Sequence, residues 1–251
     1  MQEFIRLWFN WADLSEILPV LLMGARITVV VAIAAQIIGV AGGLVLALLR
    51  ISKLRFLRLP AIIYIDLFRG TPLIMQVLIA YTALPLFGIN LEAIPTGILV
   101  MGLNCAAYDA EILRAGIESI HGGQMEAARS LGMTYLQSMR YVVLPQTVRR
   151  VLPPLTNDFI ILIKDTAILS IVAVPELLRN AKEWVGWKAR FTGYSGAALV
   201  YLMMTLPLTR LVSWMERRLS MGESGQIRDK SFMRRMLAFG RRPQPESGPE
   251  G

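Results

Sequence analysis

Few residues in this sequence could do chemistry, and most of them sit where charge is costly. Asp158, Lys164 and Asp165 fall, with Asn157, in an otherwise apolar stretch at 152–174. A charge at the centre of a membrane helix costs roughly 2.5–3.5 kcal/mol on insertion scales, so such residues face a polar cavity or a subunit interface, never bare lipid. Asp158 and Asp165 share one helical face, while Asn157, Ile161 and Lys164 share a neighbouring one. Lys164 and Asp165 are adjacent and point about 100° apart, so they do not pair along their own helix. They read as an intramembrane charge network that ties spans together. No nucleophile–His–acid set is visible, so no catalytic residue is assigned. The lone His121 rules out a multi-histidine metal centre. The lone Cys105 lies in an apolar run and reads as a buried structural thiol. No G-x-x-x-x-G-K-[ST] loop is present to hold phosphates, so neither nucleotide nor cofactor is expected on this chain.

A second group of residues is mechanical. From Gly122 to Pro145 the chain turns polar and amphipathic between strongly apolar stretches. Gly122-Gly123 breaks the preceding helix, and 124–131 is rich in helix formers. Glu126, read as first-turn, complements the helix dipole. Gly132 is placed to adopt the left-handed conformation that ends a helix. A second short helix over 135–142 leads to Val142-x-Leu144-Pro145. Ala127 and Ala128 keep one face slim enough for a partner groove to approach the backbone.

The elements that must carry these residues are apolar helices. The chain has 251 residues, 55% of them hydrophobic, with a mean hydropathy of +0.52. Several uncharged runs approach the roughly 20 residues that cross about 30 Å of hydrocarbon as a helix. The fold class expected is all-α: a polytopic helical membrane protein with five transmembrane helices. They are centred on 19–49, 73–84, 94–113, 152–174 and 194–214. Barrel strands would be shorter and would alternate. In the first span, Gly39-x-x-x-Gly43 lets another helix approach closely. Thr71 and Pro72 read as cap and first residue of the second. Phe4, Leu7, Trp8, Trp11, Leu14 and Leu18 recur at helical spacing, so 1–18 is expected to form an amphipathic interfacial helix on the extracytoplasmic side. The run beginning at Pro19 is too long for a cleaved signal.

The net charge of +8 sits mainly between and after the apolar runs, which indicates membrane orientation and not nucleic acid. Arg50, Lys53, Arg55 and Arg58, and the polar segment 114–150, are expected in the cytoplasm. The N-terminus then lies outside and the C-terminus inside. Segment 175–193 lies outside despite Arg179, Lys182, Lys188 and Arg190. Arg69 reads as a headgroup anchor, and Glu111 and Arg114 as an ion pair one turn apart. In the tail, 220–251, residues 230–242 suit a basic amphipathic helix on anionic lipid, and 243–251 suit disorder.

Glu126-Ala127-Ala128, three residues, Gly132, nine residues, then Val142-x-Leu144-Pro145 resembles the EAA loop of permease subunits of ATP-binding-cassette (ABC) importers. Phe68-Arg69-Gly70-Thr71-Pro72-Leu73, Ala107-Tyr108-x-Ala110-Glu111-Ile112-x-Arg114-x-Gly116-Ile117, Leu152-Pro153-Pro154-Leu155-x-Asn157 and Leu162-x-Lys164-Asp165-Thr166 are similar to the polar amino acid subfamily, the histidine/glutamine/arginine type. The likeness spans 19–219 as one transmembrane domain with its coupling loop at 115–148.

That resemblance implies a permease of the bacterial inner membrane and no enzyme activity on this chain. ATP and Mg would sit on a partner ATPase. It implies two permease subunits, as a homodimer or heterodimer, two ABC ATPases and an extracytoplasmic solute-binding protein. Glu126, Ala127, Ala128, Gly132, Leu144 and Pro145 would couple to the ATPase. For an amino acid substrate, Asp158 would bind the ammonium by a charge-assisted hydrogen bond, with Asn104 a neutral partner at similar depth. An ATP-independent transporter or channel using the intramembrane charges is the alternative, weakened by the lack of a visible inverted repeat.

Overall fold

The computed structural model describes the backbone of residues 7–120 and 122–239 and the side chains up to Arg218. His121, most of the expected tail features and the first six residues lie outside the described residues. The described chain is helical, with no strand. The helices are α1 (Trp11–Ile51), α2 (Arg55–Gly70), α3 (Leu73–Ala83), α4 (Ala93–Glu118), α5 (Gly122–Ser130), α6 (Tyr135–Ser138), α7 (Leu144–Asp165), α8 (Leu177–Lys188) and α9 (Thr192–Phe239). Residues 1–212 form one compact unit, and 213–251 a second that holds the C-terminal part of α9.

Two helices are long and apolar enough to cross a membrane, Trp11–Ile51 and Thr192–Arg218, and the bent pair α2–α3 makes up to three. Helices α4 and α7 fall below that test. Both carry charged or amide side chains towards the interior, as expected of helices that line a polar space instead of meeting lipid. By length and composition the described helices thus give two or three spans, fewer than the five expected from the sequence.

Three sequence-based boundaries need correction. Residues 11–18 form no separate interfacial helix. They are the first turns of the 41-residue α1, capped by Asn10 Oδ1, which accepts from the backbone N–H groups of Ala12 and Asp13. Pro19 lies inside this helix. Second, the basic connection after α1 is short. A 16-residue helix, α2, begins at Arg55 and meets α3 at a bend of 104°. Thr71 does not cap α3. Its hydroxyl donates back to Leu67 O at 2.8 Å, and Pro72 occupies the N-cap. Third, α7 starts at Leu144, runs through Pro153-Pro154 and ends at Asp165, where a tighter 3-10 turn, Thr166–Val172, takes over. Lys164 and Asp165 thus close the α-helix at the point where the tighter turn begins.

The core runs between α1 and α4. Val31 and Ala35 of α1 pack with Val100, Met101 and Cys105 of α4, with Leu162 of α7 and with Leu169 of the following turn. The small-residue pair noted in the sequence makes this seam. A Cβ on Gly39 would lie 2.5 Å from Cys105 Sγ, and one on Gly43 would lie 2.7 Å from Asp109 Cβ. A second cluster joins Ile17, Leu21 and Ala25 of α1 to Leu177 and Ala181 of α8 and to Ala197 and Val200 of α9.

Three of the four cations of segment 175–193 sit in ion pairs, and the fourth, Lys182, donates to Ser170 Oγ at 2.9 Å. Arg190 bonds Asp13 at 2.9 Å, Lys188 bonds Glu16 at 2.8 Å, and Arg179 bonds Glu183 at 2.8 Å. Much of the excess positive charge there is thereby offset, chiefly by acids at the start of α1.

Candidate functional site: a polar cavity and an exposed knob

The bend between α2 and α3 opens one wall of a cavity of about 440 Å³. Arg69, Gly70, Thr71, Pro72 and Leu73 form that wall. Asn104, Cys105 and Tyr108 of α4 form the second, and Asp158, Ile161, Leu162 and Asp165 of α7 the third. The volume falls within the ~300–1,000 Å³ of ordinary small-molecule sites. The wall at the bend carries positive potential: the N-terminus of α3 contributes its dipole, and Arg69 a full charge. The α7 wall carries two carboxylates. The cavity is thus polarised from one side to the other.

Sequence reasoning placed Asp158 and Asn104 together, and the structure puts both on this cavity. It placed Arg69 at the headgroups. Instead Arg69 lines the cavity, its guanidinium 5.4 Å from the Tyr108 ring centroid and 3.9 Å from Glu111. Glu111 is a hub. It pairs with Arg114 at 2.9 Å, as expected one turn apart, and also with Arg50 of α1 at 2.6 Å. Asp165 shares the cavity with Asp158. Among the described residues, no hydrogen bond or ion pair joins Lys164 or Asp165 to the other spans, and Lys164 is exposed.

Asn104 has a structural duty as well. Its Nδ2 donates to Gln76 Oε1 at 3.0 Å and towards Phe68 O at 3.3 Å. Gln76 Nε2 in turn reaches Phe68 O, Thr71 O and Thr71 Oγ1. These amides satisfy carbonyls that the broken helix leaves open, which a chain at membrane depth must do internally. Sequence reasoning missed Gln76. The signal was available in principle, since a polar amide one turn into an apolar helix that starts at a Thr-Pro break has little else to do.

Deeper still, Asp109 is fully buried. Its Oδ2 accepts from Gln36 Nε2 at 2.9 Å, and Cys105 Sγ stands 3.4 Å from both Asp109 Oδ2 and Asp158 Oδ2.

The second candidate element is the knob. Helix α5 ends in a full Schellman motif: Met133 N–H donates to Ala128 O at 3.3 Å and Gly132 N–H to Arg129 O at 3.0 Å, with Gly132 at φ 83°. Thr134 and Gln137 then form a capping box on α6. A π turn, Met139–Val143, carries α6 into α7, so the helical path is unbroken from Tyr135 to Asp165. Two expectations shift. Glu126 falls in the second turn of α5, because the helix starts at Gly122. Ala128 is 4% exposed and packs inward, while Ala127 and Glu126 face out. Leu144 and Pro145 are exposed. The most exposed apolar side chains of the knob are Leu131 at 84% and Leu136 at 76%, which sequence reasoning did not single out. Tyr135 and Tyr141 are exposed as well.

Residues 39–221 match the family described as binding-protein-dependent transport system inner membrane component. The chain is 40% identical over 194 residues to a probable amino-acid ABC transporter permease protein, YckA, of Bacillus subtilis, covering 77% of this chain and 86% of that one. It is 35% identical over 218 residues to the glutamine transport system permease protein GlnP of Escherichia coli, covering 84% and 98%. Among solved structures, an amino acid ABC transporter crystallised with histidines superposes with a TM-score of 0.78 at 40% identity, covering 83% of this chain and 98% of that one. An inward-facing MetNI methionine ABC transporter shares the fold, with a TM-score of 0.68 at 17% identity and coverage of 81% and 98%. The apolar helices, the charge-lined cavity and the match over 39–221 lead to one assignment: this chain is a multi-pass inner-membrane protein and belongs to the binding-protein-dependent transport system inner membrane component family of ABC transporter permeases.

Proposed function

We propose that this chain is the permease subunit of an ABC importer for polar amino acids, and that the cavity between the α2–α3 bend and α7 is a substrate site on its translocation path. One observation carries the reading: a single cavity presents Arg69 and a helix N-terminus on one wall and Asp158 on another. A zwitterion has the complementary layout. Its α-carboxylate suits the cationic wall, and its α-ammonium suits Asp158. Asp165 on the same wall adds a second carboxylate, which favours neutral or cationic side chains over acidic ones. The named relatives, which carry amino acids such as glutamine, support the substrate class.

The knob at 122–145 is the coupling element in this reading. The ATPase partner grips Leu131, Leu136 and the outward face of α5. Closure of two such ATPases shifts the permease between inward-open and outward-open states, which requires that the engine bind those states with different affinity. A second permease copy, identical or homologous, and an extracytoplasmic solute-binding protein complete the assembly. The N-terminus lies outside and the C-terminus in the cytoplasm. The family match does not favour an ATP-independent transporter.

The test is uptake into liposomes holding the permease with its purified ATPase, given a panel of amino acids on the cognate binding protein. ATP-dependent uptake of a neutral or cationic amino acid is expected, with an Asp158→Asn variant weakened. Full-rate uptake without any nucleotide-hydrolysing partner would overturn the proposal.

A further inference from the structure

The Asp109–Cys105–Asp158 group is short of hydrogens. Cys105 Sγ has three oxygen neighbours: Asp109 Oδ2 and Asp158 Oδ2, each at 3.4 Å, and Gln36 Oε1 at 3.6 Å. A thiol carries one hydrogen. Whichever oxygen that hydrogen serves, the sulfur lone pairs face at least one carboxylate oxygen with nothing between them. Asp109 is fully buried, and among the described residues its Oδ1 has no hydrogen-bond partner. The sulfur and one oxygen of each carboxylate all lie within 4.8 Å of one another.

Among the described residues, no ion pair brings a cation to Asp109 or Asp158. The facing groups of each packed element are few. Helix α1 presents Gln36 between Gly39 and its neighbours, which is neutral. Helix α4 presents Cys105, Asp109 and Tyr108. Helix α7 presents Asp158 and, two turns on, Asp165, whose neighbour Lys164 is exposed. The α2–α3 bend presents Arg69, already engaged with Tyr108 and Glu111.

We infer that the Asp109–Asp158 pair around Cys105 holds one exchangeable proton in the empty transporter, and that the substrate ammonium displaces it. This rests on the reading of Asp158 as the ammonium contact. The step balances. One carboxyl O–H breaks, its proton leaves to water through the cavity that Asp158 lines, and an ammonium N–H takes its place as donor. Before the exchange, two carboxylates and one proton sum to −1. Afterwards two carboxylates and one ammonium also sum to −1, so the acidic group keeps its own charge, while the α-carboxylate that enters with a zwitterion is met by the cationic wall at Arg69. Asp109 acts here as a positioning residue, because it lies behind Cys105 and does not line the cavity.

The experiment is calorimetry of L-glutamine and L-arginine binding to the purified permease–ATPase complex, in buffers of contrasting ionisation enthalpy across roughly pH 5–8. Release of about one proton per amino acid bound is expected. Kd should then tighten about tenfold per pH unit wherever the pair is protonated, and flatten above that range. In Asp109→Asn the side-chain amide supplies the missing hydrogens, so binding persists with no proton release and a pH-independent Kd. The wild-type measurement stands by itself if that variant does not fold. Binding that is weakened by Asp158→Asn yet releases no proton in the wild type overturns this inference and leaves the ammonium site intact. Wild-type affinity in Asp158→Asn removes the ammonium site, and the inference with it.

Discussion

Gly43→Ala is the sharpest test of the α1–α4 seam. The added methyl would sit 2.7 Å from Asp109 Cβ, 3.0 Å from Ala110 N and 3.1 Å from Asp109 C. Carbon atoms at optimal separation lie about 3.5–4.0 Å apart, so α4 must retreat by roughly 1 Å. Two of the three clashing atoms are backbone, so no rotamer change relieves them. Overpacking of this kind costs about 1–3 kcal/mol, and a chain of this size loses about 2–4 °C in Tm per kcal/mol. The assay is thermal unfolding of the detergent-purified complex followed by the loss of its monodisperse elution peak. Gly186→Ala is the control, since a Cβ there meets nothing within 4 Å and the exchange removes a helix-interior glycine. That control should be stabilising by about 0.5–1 kcal/mol. Gly43→Ala should melt clearly below wild type and lose uptake, because the same shift carries Asp109 away from Gln36. Equal melting of Gly43→Ala and Gly186→Ala would refute the close approach of the two helices.

Further predictions concern the knob, the cavity and the N-terminal cap of α8. Leu131→Asp or Leu136→Asp should leave stability within about 0.5 kcal/mol, as both side chains are exposed, and should abolish ATP-driven uptake in liposomes. Asp158→Asn should raise the Kd for a neutral amino acid by roughly 10- to 150-fold, the range of a charge-assisted hydrogen bond of about 1.5–3 kcal/mol, measured by equilibrium binding. Gln76→Leu should slow uptake more than it lowers expression, because Gln76 holds the carbonyls at Phe68 and Thr71. Glu176→Ala should lower the melting temperature, since the buried carboxylate accepts from Leu178 N–H, Arg179 N–H and Tyr201 O–H, and orphaning such donors costs about 1–3 kcal/mol each.

What was legible in the sequence was local. Gly132 could be read because only a left-handed residue ends a helix that way, and Gly39 and Gly43 because small residues four apart mark a close crossing. The α2 helix was obscured by its charges: Arg55, Arg58 and Arg69 look like a loop until Ala61 and Ile65 are seen to form one buried face. The apolar stretch beginning at 152 showed only part of α7, whose polar first turns run from Leu144 and through Pro153-Pro154. The candidate site was half visible. Asp158 stood out as a charge in an apolar run, but its meeting with Cys105, and that of Asp109 with Gln36, joins three helices across sequence separations of 53 and 73 residues. Arg69 was misplaced because hydropathy locates a residue along the membrane normal and says nothing of which way a bent helix turns it.

The unbroken helical path from Tyr135 to Asp165 behaves as a stiff rod. At 1.5 Å per residue its length is on the order of 45 Å, with the π turn and Pro153-Pro154 as its two compliant points. A tug on Tyr135 therefore arrives at Asp158 with little lost in flexing. Under the coupling role proposed for the knob, softening either joint should let the motor end swing while the far carboxylates stay still, so that fuel is burned with nothing delivered.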